Sequence, residues 1–186
     1  MQSFTVVLDA NVIVPMVATD VLLRLAEREL YRPVWSHRIL AEAQCTVLKL
    51  HPDLDETRIA RRFAAMNVAF EDALVDGSEH LETSIVLPDP DDRHVVARAV
   101  AAGADAIITN NVADFPATAI APFNLEIIRL DDFLLDLIDH VPEEVVVVIR
   151  ELARDAAHPP LTSSEVPKNL AAAGAPDAAR QLAALV

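Results

Sequence analysis

Thr5–Leu8 is a short, β-rich apolar run, TVVL, that stops on an acid, Asp9, before Asn11 opens a helical segment. Such an unbroken apolar run fits a strand covered on both faces, the setting of a central parallel strand flanked by helices. In open α/β sheets ligands sit outside the carboxyl ends of the strands, so Asp9 is placed at the functional crevice. Capping of the next helix is the simpler account of any one such acid. Asp9 stands apart because the arrangement recurs.

Arg32–Trp35 reads as a second strand, and Ser36 then caps a helix to about Leu50 with Ile39, Leu40, Ala43, Val47 and Leu50 as its apolar stripe. Glu42 borders that buried face, and an ordinary surface glutamate is the simpler account of it alone. With the helix starting at the carboxyl end of strand two, it lies two turns in, within reach of Asp9. Ile85–Leu87 reads as a further short strand, stopped by Pro88-Asp89-Pro90-Asp91-Asp92. A helix follows with Val95, Val96, Ala99 and Val100 inward and Gly103 as its stop. The aspartates at its start exceed what a cap or the helix dipole requires. Ala104–Ile108 is another strand, running into Thr109, Asn111 and Asp114, and Asn124–Ile128 is the last, with a helix over Asp131–Ile138. Strands alternating with helices predict an α/β fold with a doubly wound parallel sheet.

Between these elements, Thr19 or Asp20 caps a helix to about Leu30 whose Arg24 and Arg28 form a solvated face pairing with Glu27 or Asp20. Asp53 or Asp55 opens another, with Ile59, Phe63, Met66 and Phe70 inward. Arg58, Arg61 and Arg62 share one side of it, as solvated arginines or as a phosphate-contacting patch. The stretch 72–82 reads as a loop or a frayed helix end. From Pro142 the pattern predicts a helix despite the β-branched Val145–Val148, broken by His158-Pro159-Pro160. Thr162–Glu165 resembles a capping box, and Gly174 and Pro176 separate two short alanine-rich helices. The organisation expected is a domain over 1–140 and a helical extension over 141–186.

A net charge of −14 argues against broad electrostatic attraction to nucleic acid. Carboxylates that hold a metal reverse the local field, so a nucleic-acid enzyme stays open, and an acidic shell suits a basic protein partner. The one cysteine, Cys45, excludes an intrachain disulfide. No basic-then-apolar leader opens the chain, and no run approaches the roughly 20 apolar residues of a membrane span. A soluble, cytoplasmic protein is expected. No Gly-rich phosphate loop, G-x-S-x-G elbow or H-E-x-x-H pair is present. What remains is a set of acids and amides at strand ends, the donor chemistry preferred by Mg²⁺ and Mn²⁺ and able to support phosphodiester cleavage.

VVLDAN around Asp9, SHRILAE ending in Glu42, DPDDRHVVARAVAAGADAIITNNVADFP over 89–116 and the LEII strand together resemble the PIN-domain ribonuclease family, in particular the toxins of VapBC-type toxin–antitoxin systems. The resemblance implies a three-layer α/β/α PIN-like domain with a C-terminal helical extension. It implies a Mg²⁺- or Mn²⁺-dependent endoribonuclease with Asp9, Glu42, Asp92 and Asp114 as catalytic metal ligands. Asn11, Thr109, Asn111 and Asp91 would support them. Read from the residues themselves, Arg58, Arg61, Arg62 and Arg93 are candidates to meet substrate, as is His94 beside Asp92, for which a helix-surface histidine is the simpler account. Asp92 is preferred to Asp91 because it lies directly before the HVVARA helix. Many members carry an aspartate where this chain has Asn111, which bears on a second metal. RNA as substrate, a basic antitoxin as partner and a homodimer complete the expectation. Two other classes remain: a catalytically degenerate PIN-fold module that binds RNA or a partner, and a phosphoacceptor domain. The latter lacks an adjacent acid pair before the first helix and a lysine after a late strand.

Overall fold

The computed structural model describes residues 4–156 and 160–186. Strands β1 (Thr5–Leu8), β2 (Arg32–Val34), β3 (Ala106–Ile108) and β4 (Glu126–Ile128) form one all-parallel sheet in the order β2-β1-β3-β4. Val6 and Val7 are paired on both sides, Val7 opposite Val34 on one and Ile107 on the other. β1 and β3 are wholly buried and β4 is the half-exposed edge. This ranking follows the sequence, since the runs TVVL and AII hold no charged residue while β4 begins with Glu126.

Helices α1 (Ala10–Ile13), α2 (Met16–Glu27), α3 (His37–Leu50), α4 (Glu56–Ala69), α5 (Glu79–Glu82) and α6 (Arg93–Ala102) occupy the first two thirds of the chain. α7 (Ala117–Ile120) and α8 (Leu130–His140) flank β4 and complete a three-layer α/β/α arrangement. α9 (Pro142–Asp155), α10 (Val166–Ala172) and α11 (Pro176–Ala183) follow. No helix among the described residues is long and apolar enough to cross a membrane.

Caps place the helices that matter for the site. Ser36 Oγ accepts the Ile39 N–H at 3.1 Å and so starts α3 directly after the second strand. Gly103, at φ +60°, ends α6 in the left-handed conformation. Because Ser36 is buried and its bond satisfies a terminal helix donor, Ser36→Ala is expected to cost about 1 kcal/mol. Urea unfolding would read this as a lower midpoint at unchanged slope.

Several local expectations yield to tertiary structure. Ile85–Leu87 alternates buried, exposed, buried but pairs with no strand, and the amides of Ser84 and Ile85 turn back to Leu81 and Glu82. Strand-like pairing lies instead within the stretch read as a loop or a frayed helix end, where Trp35 bridges Leu74 through Trp35 N–H to Ala73 and Val75 N–H to Trp35. α2 starts at Met16, behind Pro15, several residues before Thr19 and Asp20. Thr19 donates instead to the Ile13 carbonyl.

Arg24 pairs with Asp20 at 3.1 Å as expected, but Arg24 and Arg28 are more than a solvated face. Arg24 bonds Asp155 at 3.0 Å and Arg28 bonds Glu151 at 2.6 Å, so both fasten α9 onto α2. α9 is helical because Val145, Val148, Ile149 and Leu152 form one buried stripe. Burying each gains about 1.5–3 kcal/mol, well above the sub-kcal helix-propensity penalty of valine. α9 ends at Asp155, while His158 and Pro159 of the expected breaker lie outside the described residues. Thr162 and Glu165 bond to each other, but α10 begins only at Val166, so they form a turn ahead of the helix.

Candidate active site

From β1 the chain moves to β2 on one side, then returns to the other side of β1 as β3. The gap between the carboxyl ends of β1 and β3 is therefore the topological switch point, where open α/β sheets bind ligands. Asp9 and Thr109 are the first residues beyond those two strands, and both are buried. Thr109 Oγ1 donates to Asp9 Oδ2 at 2.7 Å. Asn11 Nδ2 donates to the same oxygen at 2.5 Å and to Thr109 Oγ1 at 2.8 Å. The Ala10 N–H holds Asp9 Oδ1 at 2.7 Å. The backbone N–H of Asn110 donates to Asn11 Oδ1, and that of Asn111 to Thr109 Oγ1. Three residues from two strand ends thus fix one carboxylate in a single orientation.

The other acids gather around it unequally. Burial pushes Asp92 up to about 6, and the negative charges of Asp9, Asp114 and Asp89 add to that. Burial likewise holds Asp9 above its ordinary value, with Glu42 adding and Thr109 opposing. Asp91, one residue away from Asp92, has a side chain 93% exposed. Glu42 faces Asp9 but is engaged elsewhere: His94 Nε2 lies 3.1 Å and Arg38 Nε 3.2 Å from Glu42 Oε1. Despite desolvation, these two partners hold Glu42 below the usual carboxylate range.

Among the described residues no three His, Cys, Asp or Glu side chains converge tightly enough to enclose an ion as they stand. The donor set nevertheless suits a hard divalent cation. It is all oxygen, it is crowded enough to hold a proton on Asp92 near pH 6, and a cation relieves that repulsion. The Nδ1 of buried His94 has no hydrogen-bond partner among the described residues.

The remaining candidates divide. Asn111 is exposed at the loop rim and Asp114 sits half-buried on the turn Val112–Asp114. Arg58 and Arg61 are exposed, but Arg62 turns inward against α2, where burial lowers its pKa, so the three do not form one patch. Arg93 lies half-buried beside Asp92, while His94 points at Glu42. Arg38 is the residue that sequence reasoning passed over. It bonds Glu42, reaches Glu82 at 3.5 Å and donates to the Asp91 carbonyl at 3.1 Å. The four-residue spacing of Arg38 and Glu42 on one helix was the available signal.

The chain matches known families in two segments. The profile of the PIN domain matches residues 5–113, more than half of the chain, and that of the VapC50 C-terminal domain matches residues 130–184. The protein named "Putative ribonuclease VapC50" of Mycobacterium tuberculosis is 39% identical over 71 residues, which are 38% of this chain and 42% of that protein. The aligned part thus spans less than half of the relative's length. No solved structure matches the chain.

Proposed function

The chain belongs to the PIN-domain family, and from that premise we propose that it is a metal-dependent endoribonuclease, the toxin of a VapBC-type toxin–antitoxin pair. The observation that carries this reading is the fixed Asp9 carboxylate at the switch point, with Asp9 and Asp114 both crowding Asp92. Asp9, Asp92 and Asp114, with Glu42 released from Arg38 or His94, would hold Mg²⁺ or Mn²⁺. Once bound, the ion supplies a Lewis acid for the phosphodiester and lowers the pKa of water. Asn11 and Thr109 keep the Asp9 oxygens aimed, so little reorganisation is left for the reacting complex. Arg93, beside the acids, and exposed Arg58 and Arg61 are the cations offered to RNA phosphates. In a chain of net charge −14 they act locally, not through a long-range field.

The name of the relative supports RNA as substrate. A basic antitoxin suits the acidic surface, and a cytoplasmic homodimer completes the reading. Asn111 favours one alternative, a module that binds RNA without cutting it, since an amide adds no charge at a position where an acid would strengthen metal binding.

Incubating the purified chain with a mixed tRNA and rRNA pool separates the two. Discrete cuts with Mn²⁺ or Mg²⁺, leaving 5′-phosphate and 3′-hydroxyl ends and vanishing with chelator, are the expected result. An intact pool, with metal binding verified by calorimetry, would overturn the nuclease reading.

A further inference from the structure

Asn110 separates Thr109 from Asn111 and faces two ways. Its backbone N–H donates to Asn11 Oδ1 at 2.9 Å, inside the group that orients Asp9. Its side-chain Nδ2 donates to the Ala173 carbonyl at 2.9 Å, 63 residues away in the bend between α10 and α11. The next residue, Gly174, lies directly against that amide. A Cβ there would come within 2.9 Å of Asn110 Nδ2 and 3.0 Å of its Cγ and Oδ1, and φ is +98°. Only glycine lets the bend approach this closely without strain.

The bend is itself anchored. Ala173 and Ala175 are buried, as are Leu170, Ala178 and Leu182 on the flanking helices. The Asp131 carboxylate on α8 accepts the Ala178 N–H at 2.8 Å and the Asp177 N–H at 3.1 Å, capping α11. Gln181 adds a bond to Asp139 at 2.8 Å. A fixed carbonyl is thereby presented to the loop that follows β3.

We infer that Asn110 is a positioning residue and that the Ala173–Gly174 bend of the C-terminal extension is its anchor, so the extension builds part of the active site. The extension holds the Thr109–Asn111 loop, the loop holds Asn11 and Thr109, and these two hold Asp9. Cleavage by this site is the reading on which the catalytic half of the inference rests.

Full-length Asn110→Ala, Gly174→Ala and the double variant test it, with Mn²⁺-supported cleavage measured well below the unfolding temperature. Each single variant is expected to lower kcat about tenfold, in the range of lost outer-shell partners of a metal site, while KM stays within about twofold. Amide exchange should quicken at Asn110 and Asn111 while Val6–Leu8 keep their protection. The double variant should lose less than the product of the two single losses, because the clash of the added methyl with the Asn110 amide is gone and only the backbone penalty at φ +98° remains. Unchanged kcat and unchanged exchange in Asn110→Ala, or single losses that multiply in the double variant, would overturn the inference. Asn110→Ala keeps Gly174 and its positive-φ backbone as they are, so it carries the test if Gly174→Ala does not fold. Should the wild-type chain cut no RNA, the nuclease reading falls, and exchange then decides alone. Faster exchange confined to residues 109–111 would support the anchor; unaltered exchange would overturn it.

Discussion

Asp9→Asn is expected to reduce metal-dependent RNA cleavage by at least about a hundredfold and to leave the fold in place. Losing a mere outer-shell partner of a metal site costs up to about a hundredfold, and Asp9 is the buried carboxylate on which the site converges. The effect on stability is small because two terms oppose each other. Asp9 Oδ2 accepts from Asn11 and Thr109 while Oδ1 accepts from Ala10. Asparagine has a single acceptor oxygen, so one side of this arrangement loses a bond, at about 1–2 kcal/mol. Against that, the neutral side chain escapes the desolvation that holds the Asp9 pKa up. The net change should move Tm by no more than about 4 °C for a chain of this length. Matched circular dichroism with lost cleavage is the expected pair of results. A variant that cuts like wild type would remove Asp9 from the mechanism.

The parts of this site that could be read from sequence were those written by short-range chemistry. TVVL followed by an acid announces a buried strand that ends on a carboxylate, and the buried β1 with Asp9 at the switch point has that form. Ser36 and Gly103 bound their helices through local geometry that any strand-to-helix or helix-to-loop transition would need. The failures share a cause. The pairing of Arg24 with Asp20 is local and legible, but only the packing of α9 from more than a hundred residues away supplies Glu151 and Asp155. Ile85–Leu87 carries a strand's alternation but finds no neighbouring backbone, whereas Leu74, in a polar stretch, lies beside Trp35. The pairing of Glu42 with Arg38 and His94 needs α3 and α6 to meet. The contact of Asn110 with Ala173 likewise joins segments whose separation in sequence carries no pattern at all.

On the proposed reading metal and protons compete for the acid cluster, which yields the second large effect. Asp92 is carried from an ordinary 3.8 to about 6, first by burial and then by Asp9, Asp114 and Asp89. The folded chain therefore binds more protons than the unfolded chain between about pH 4 and 6, and without metal its stability falls as pH rises through that window. The full displacement corresponds to at most about 3 kcal/mol, and partial solvent exposure reduces it to about 1 kcal/mol. Asp9, also raised, acts in the same direction. Glu42, held low by His94 and Arg38, acts oppositely, its contribution being lost as pH falls through its folded value. Divalent metal should reverse the main trend, because ligands must release their protons to bind it. At pH 7.5, Mn²⁺ at about a hundred times its dissociation constant should stabilise the fold by about 2.7 kcal/mol, a Tm rise of about 5–10 °C. At pH 5 the same concentration should give a much smaller rise, and cleavage should fall away on the acid side of about pH 6. An equal rise at both pH values would show that the ion binds away from Asp9 and Asp92, and a metal-free Tm that climbed from pH 4 to 6 would show that their crowding is not the dominant local charge.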